Sequence, residues 1–162
     1  MSLRLRNEQK NYMDVGTFAT PNYAYINEGF TDFSESKNSV EYARTYIGDK
    51  SERTNVTGYA PSVSYACDVY DEDPVVQAVV EITDKEMLGS DTERDIVQYN
   101  TFDEETAGSG IYKAIKRRWA VIPDSKAGGV GTDALIYTGA MKAVGAIIEG
   151  SFDISSKTFT ED

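Results

Sequence analysis

Residues 62–82, SVSYACDVYDEDPVVQAVVEI, change their rule halfway along. From Ser62 to Tyr70 the side chains alternate, which puts Val63, Tyr65, Cys67 and Val69 on one face of a strand and Ser62, Ser64, Ala66, Asp68 and Tyr70 on the other. One face is apolar, so this strand covers a core. After the acidic turn the period lengthens. Asp73 can cap a helix whose first residue, Pro74, has no N–H to lose, and Val75, Val76, Val79, Val80 and Ile82 follow at mixed helical spacing, with a stop expected near Gly89. A single helix beside many strands suggests that it plugs one side or end of a sheet or sandwich.

Working upstream, SVEYARTYIGDKSERTNVTGY (39–59) reads as a hairpin: two segments rich in Val, Tyr, Ile and Thr flank the charged tip Gly48-Asp49-Lys50-Ser51-Glu52-Arg53. The stretch from Val15 to Phe33, broken by Pro21 and Gly29, is consistent with one or two short strands. Residues 1–12 carry Arg4, Arg6 and Lys10 among polar residues with little apolar periodicity, and read as an arm outside the core. Downstream, Arg94–Phe102 and Ile111–Ile122 look like strands paired across the turn-rich DEETAGSG. Residues 134–149, ALIYTGAMKAVGAIIE, fit a helix or strands; Gly139 and Gly145 would each weaken a helix by about 1 kcal/mol relative to alanine, which favours strands with a bend. The tail FDISSKTFTED can add a short edge strand. With no internal repeat and no linker, the reading is an arm (1–12) and one domain (13–162).

At 162 residues, 40% hydrophobic and 11% aromatic, the chain is long and apolar enough to build one core without a metal or disulfide staple. Eleven tyrosines against four prolines lean toward strands. The single cysteine, Cys67, excludes an internal disulfide and a zinc cluster. A formal net charge of −11 argues against tight phosphate binding by the whole surface. The N-terminus lacks a signal-peptide h-region and no window approaches the roughly 20 apolar residues of a membrane span, so a soluble chain made in the cytoplasm, with no membrane insertion, is expected.

No catalytic set emerges. The absence of histidine removes the commonest general base and the usual zinc ligand. Asp68, Asp71, Glu72 and Asp73 form an acidic knot that hard cations would favour, but it lacks the glycine and spaced glutamate of an EF-hand loop and reads more simply as a solvated turn with Asp73 as cap. Ala127-Gly128-Gly129-Val130-Gly131-Thr132 lacks the Lys-Ser/Thr of a phosphate loop, and Pro123–Lys126 before it does not read as a buried strand leading into it. Lys116, Arg117 and Arg118 lie within a strand and point alternately to opposite faces, so they suit pairing with carboxylates of a neighbouring strand or subunit better than a basic stripe. Cys67 sits on an apolar face as a small hydrophobe. A sugar- or peptide-binding sandwich would need Trp119 and tyrosines exposed as a stacking platform. No enzymatic activity, cofactor or metal is expected.

Two stretches carry a family resemblance. VTGYAPSVSYACDVYDEDPVVQAVVEI (56–82) resembles the strand, acidic turn and Asp-Pro-led helix of the major tail tube proteins of long-tailed, siphovirus-type bacteriophages, and AVGAIIEGSFDISSKTFT (143–160) looks like their C-terminal strand. The resemblance implies a mainly β fold, two antiparallel sheets forming a sandwich or partial barrel beside one flanking α-helix. It further implies a virion protein whose copies form rings, hexameric in that family, that stack into a hollow tube. Double-stranded DNA would pass through that tube, and other tail proteins, a tape-measure protein included, would be partners. It assigns self-contacts to the arm (Arg4, Arg6, Lys10) and the hairpin tip (Asp49, Lys50, Glu52, Arg53), to which the Lys116, Arg117, Arg118 run is added as a subunit contact. A tail terminator ring has a similar fold and is the nearest alternative.

Overall fold

A computed structural model describes residues 1–17, 19–26 and 29–162. The chain is mainly β: strands β1 (Gln9–Asp14), β2 (Tyr23–Tyr25), β3 (Phe30–Ser36), β4 (Ser39–Arg44), β5 (Arg53–Tyr59), β6 (Ser62–Asp68), helix α1 (Pro74–Asp84), then β7 (Glu93–Glu104), β8 (Ile111–Lys126), β9 (Ile136–Ala143), β10 (Ile148–Asp153) and β11 (Thr158–Glu161). All pairings are antiparallel. Nine strands form one sheet in the order β2-β1-β7-β8-β9-β6-β3, with β10 and β11 branching from β8, and β4-β5 form a separate two-stranded ribbon.

β8 is the branch point. Its first half, Ile111–Lys116, pairs with β10, its second half, Trp119–Lys126, pairs with β9, and β7 runs along the opposite edge. The crossover from β9 to β10 passes beside Arg117 and Arg118: Val144 N–H donates to the Arg118 carbonyl at 2.9 Å and Arg117 Nε donates to the Gly145 carbonyl at 2.8 Å.

The sheet curls into a partial barrel. Strands in a flat sheet lie about 4.8 Å apart, so β1 and β10, separated by β7 and β8, would stand roughly 14 Å apart. Instead the rings of Tyr12 on β1 and Phe152 on β10 have centroids 4.8 Å apart. At the other end of the sheet order, Arg6, three residues before β1, donates from Nη2 to the carbonyl of Phe33 on β3 at 3.1 Å. Successive residues on β1 and β7 feed two cores. Met13 and Ile96 join α1, β6, β8 and β9 on one side, while Tyr12 and Val97 pack with Tyr23, Tyr99, Ala114 and Phe152 on the other.

α1 caps the first core with Val75, Val76, Val79 and Ile82, all fully buried. Each contributes about 1.5–3 kcal/mol relative to an exposed position. Asp73 Oδ1 accepts from Val75 N–H at 3.0 Å and from Val76 N–H at 3.3 Å. The helix ends at Asp84, not near Gly89. Glu86 adopts a left-handed φ of 49°, Glu86 N–H reaches the Thr83 carbonyl and Met87 N–H the Ile82 carbonyl, a Schellman turn sealed by Met87 and Ile82 in the same core.

One more expectation is corrected. The stretch read as an arm, 1–12, is shorter: Gln9–Tyr12 belong to β1, paired with β7, because Tyr12 has a buried aromatic cluster to join that local sequence does not reveal. β8 continues through Pro123 to Lys126 by a register shift, but residues 122–126 are exposed, so no buried strand leads into the glycine run, as expected. The run is followed by β9, β8's own antiparallel partner, and not by a helix whose N-terminus could hold a phosphate. The bend expected in 134–149 falls between β9 and β10, at Val144–Ile147, while Gly139 lies inside β9.

Candidate assembly surface

The ribbon β4-β5 stands apart from the core. Val40, Tyr42, Tyr46, Ile47, Val56 and Tyr59 are all exposed on it or on its loop. The register places Glu41 opposite Val56 and Ser39 opposite Tyr59, while Val40 and Tyr42 lie on the other face, so apolar side chains occupy both faces. An isolated two-stranded hairpin is at best marginally stable in water, and an apolar surface of this kind marks an interaction site.

In its loop the charges are partly consumed locally. Arg53 Nη2 donates to Asp49 Oδ1 at 2.8 Å and its guanidinium lies 5.7 Å from the Tyr46 ring, whereas Lys50 and Glu52 point into solvent. In the arm, Arg4 sits 4.2 Å over the Phe102 ring and pairs with Glu8 at 3.6 Å, while Lys10, on β1, lies 5.4 Å from the Tyr25 ring. Met1, Leu3 and Leu5 are exposed.

Lys116, Arg117 and Arg118 are divided among three tasks. Lys116 lies 5.0 Å over the Phe159 ring, Arg117 holds the crossover carbonyl of Gly145, and Arg118 Nε donates to Asp95 Oδ1 at 3.0 Å on the adjacent strand. The carboxylate that sequence reasoning sought for this run is, for Arg118, supplied from within the chain.

Between the start of β1 and β3, at the open seam of the barrel, lies a cleft of about 260 Å³. Among the described residues, Arg6, Lys37 and Arg117 stand on its rim with Glu35 as the one carboxylate, and Val63, Trp119 and Ile147 are in its wall. It continues into an apolar notch formed by Tyr59, Pro61, Ala146 and Ile147. Lys37 pairs with Glu35 at 3.0 Å. Sequence reading could not single out Lys37 or this cleft, because its walls come from β1, β3, β6, β7 and β8, which only the curl brings together.

The other singled-out groups resolve as structure. Trp119 is 5% exposed, so it offers no stacking platform. Burial pushes the Cys67 thiol up to about 11, and the thiol donates a hydrogen bond to the Tyr137 carbonyl. Burial likewise raises the Tyr23 hydroxyl to about 12, with Asp14 and Asp95 adding to it. Among the described residues no group of three or more His, Cys, Asp or Glu is placed to hold a metal ion. No described helix is long and apolar enough to cross a membrane. Asp84 accepts from Lys126 Nζ at 2.9 Å and Tyr137 Oη at 2.7 Å and is held below the usual carboxylate range by those two bonds.

No protein-family model matches the chain, and no curated protein matches it by sequence. Solved structures match it along nearly its whole length. A chain from the tail of an empty gene transfer agent particle, determined with C6 symmetry, superposes with a TM-score of 0.59 at 14% identity over 98% of this chain and 99% of its own. A chain of the native gene transfer agent virion gives 0.58 at 14% identity over the same shares, 98% and 99%. A chain from the sheath/tube terminator of an extracellular contractile injection system gives 0.53 at 12% identity, over 92% and 97%. The curled nine-stranded sheet, its detached ribbon and its single helix are thus the fold of subunits found in phage-like tails and contractile injection systems.

Proposed function

We propose that this chain is a non-enzymatic structural subunit of a phage-like tail tube, of the long-tailed bacteriophage type that its sequence resembles. Copies assemble into rings, six to a ring, that stack into a hollow conduit for double-stranded DNA. The observation that carries the reading is the end-to-end match with a chain of a C6-symmetric tail. The ribbon supports it: apolar side chains on both faces are expected of a segment inserted between neighbours. The net charge of −11 suits a wall along which DNA slides without sticking. Self-contacts are assigned to the arm (Arg4, Arg6), the adjoining start of β1 (Lys10), the ribbon loop (Asp49, Lys50, Glu52, Arg53) and Lys116–Arg118. A tape-measure protein and other tail proteins are the further partners, and the site of action is the virion after synthesis in the host cytoplasm.

Negative-stain electron microscopy of the purified chain over a concentration series tests this. Hollow tubes or stacked rings are expected, and a species that remains monomeric at every concentration, also when seeded with preformed tail ends, would overturn it. The likeness to a chain within a sheath/tube terminator structure favours one second reading, a terminator, for which assembly stops at a single closed ring.

A further inference from the structure

The two ends of the barrel are chemically complementary. The cleft at the seam lies at the Ser62 end of β6, where Val63 lines it, and it gathers three cations against one carboxylate in a chain with 27 acidic and 16 basic residues. At the other end of β6, about 20 Å away at 3.3 Å per residue, Asp68 leads into the turn Tyr70-Asp71-Glu72-Asp73. That turn is held in shape: the Tyr70 carbonyl accepts from Asp73 N–H at 3.3 Å and from Gln77 Nε2 at 3.0 Å. Asp73 is occupied as the helix cap, so Asp71 and Glu72 are left facing solvent beside a Tyr70 that is 56% exposed. An exposed aromatic side chain beside two solvent-facing carboxylates matches a cleft with an apolar wall and a cationic rim.

We infer that the cleft rimmed by Arg6, Lys37 and Arg117 is the socket for the Tyr70–Glu72 turn of a second copy of this chain, stacked head to tail. This rests on the tail-tube reading and names the pair of surfaces that joins one ring to the next. The cleft, at about 260 Å³, falls below the roughly 300–1,000 Å³ of sites for drug-sized ligands and suits one or two side chains of a partner. Plug and socket lie at opposite ends of the strands, so the contact is heterologous and propagates into an open stack instead of closing as a dimer. The other acidic run, Asp103–Glu105, follows β7 beside the cleft's own end of the barrel, where a copy stacked in the same orientation does not present it.

The test is charge exchange in the full chain, read by sedimentation and electron microscopy, with near-ultraviolet circular dichroism to establish that each variant is folded. Lys37→Glu/Arg117→Glu reverses the socket. Asp71→Lys/Glu72→Lys reverses the plug at two exposed positions. Each double variant alone is expected to raise the concentration needed for assembly roughly tenfold or more, because like charges then face each other. Their equimolar mixture is expected to assemble again, since each reversed socket meets a reversed plug and each native socket a native one. If the plug variant assembles as readily as the parent, the inference falls while the tail-tube reading stands. It falls equally if both variants are folded and impaired but their mixture gives no recovery, including the case in which the socket variant instead loses retention of DNA, which would make the cleft a phosphate contact. A parent chain that never assembles removes the reading and the inference together.

Discussion

Tyr65 lies directly opposite Gly139 in the β6–β9 register, and its hydroxyl fills the space a side chain at 139 would need: a Cβ there would stand 2.6 Å from Tyr65 Oη and 2.6 Å from the Ile122 carbonyl. The ring covers a strand glycine and packs both together, but the hydroxyl, buried, has no hydrogen-bond partner among the described residues. Gly139→Ala should therefore cost about 1–3 kcal/mol by overpacking, whereas Tyr65→Phe should be neutral or stabilising by up to about 1 kcal/mol because it deletes an unsatisfied polar atom. Urea denaturation of the two variants checks the opposite signs; equal losses would show that the hydroxyl is satisfied.

Phe152 holds the curl closed. It is fully buried and touches Tyr12 on β1, Tyr23 on β2 and Tyr99 on β7, strands that meet β10 only through the roll of the sheet. Phe152→Ala should lose about 3–5 kcal/mol. Thermal unfolding should show this loss together with a weakened near-ultraviolet tyrosine signal; a loss confined to what an exposed aromatic gives would mean that the curl is held elsewhere.

Glu86 occupies the left-handed position of the Schellman turn that ends α1, at φ 49°, where a Cβ is unfavourable. Glu86→Gly should raise stability by about 0.5–1 kcal/mol, the relief of strain exceeding the added freedom of the unfolded chain. Glu86→Val at the same position should do the reverse. Chemical denaturation midpoints of the pair decide it.

Asp84 is held below its ordinary range first by the hydrogen bond from Lys126, then by that from Tyr137. A carboxylate with a folded value below its unfolded one adds stability that is complete above the unfolded value and is lost as pH falls through the folded one. The window thus opens near pH 4 and extends downward. Asp84→Asn should flatten the acid limb of a stability–pH curve and leave its neutral portion nearly parallel to the parent's. Because the group is exposed, salt should shrink the difference. An acid limb of unchanged slope would assign the effect to other carboxylates, such as Asp153, lowered by its bonds from Ser155.

How much was legible follows from the range of each interaction. The β6 strand, the Asp73-Pro74 helix start, the ribbon and the C-terminal edge strand were readable because period, cap and turn chemistry act over a few residues. The helix stop was misjudged because Glu86, a residue type that rarely takes a left-handed φ, ends α1 ahead of the glycine that local rules favour. The arm was overextended because Tyr12 gains its partners from β7 and β10, both far along the chain.

The sequence by itself determined that this is a strand-rich chain with one capped helix, an acidic surface, a charged hairpin and no histidine-based chemistry, since each of these resides in composition or in neighbours a few positions apart. Only the tertiary structure decided that the sheet rolls until Tyr12 meets Phe152, that β8 splits its pairing at Lys116–Arg118, and that Arg6, Lys37 and Arg117 converge on one cleft. The physical reason is the same in each case: strand order and curl are set by side-chain burial between segments up to 140 residues apart, as between Tyr12 and Phe152, and no local period encodes that meeting.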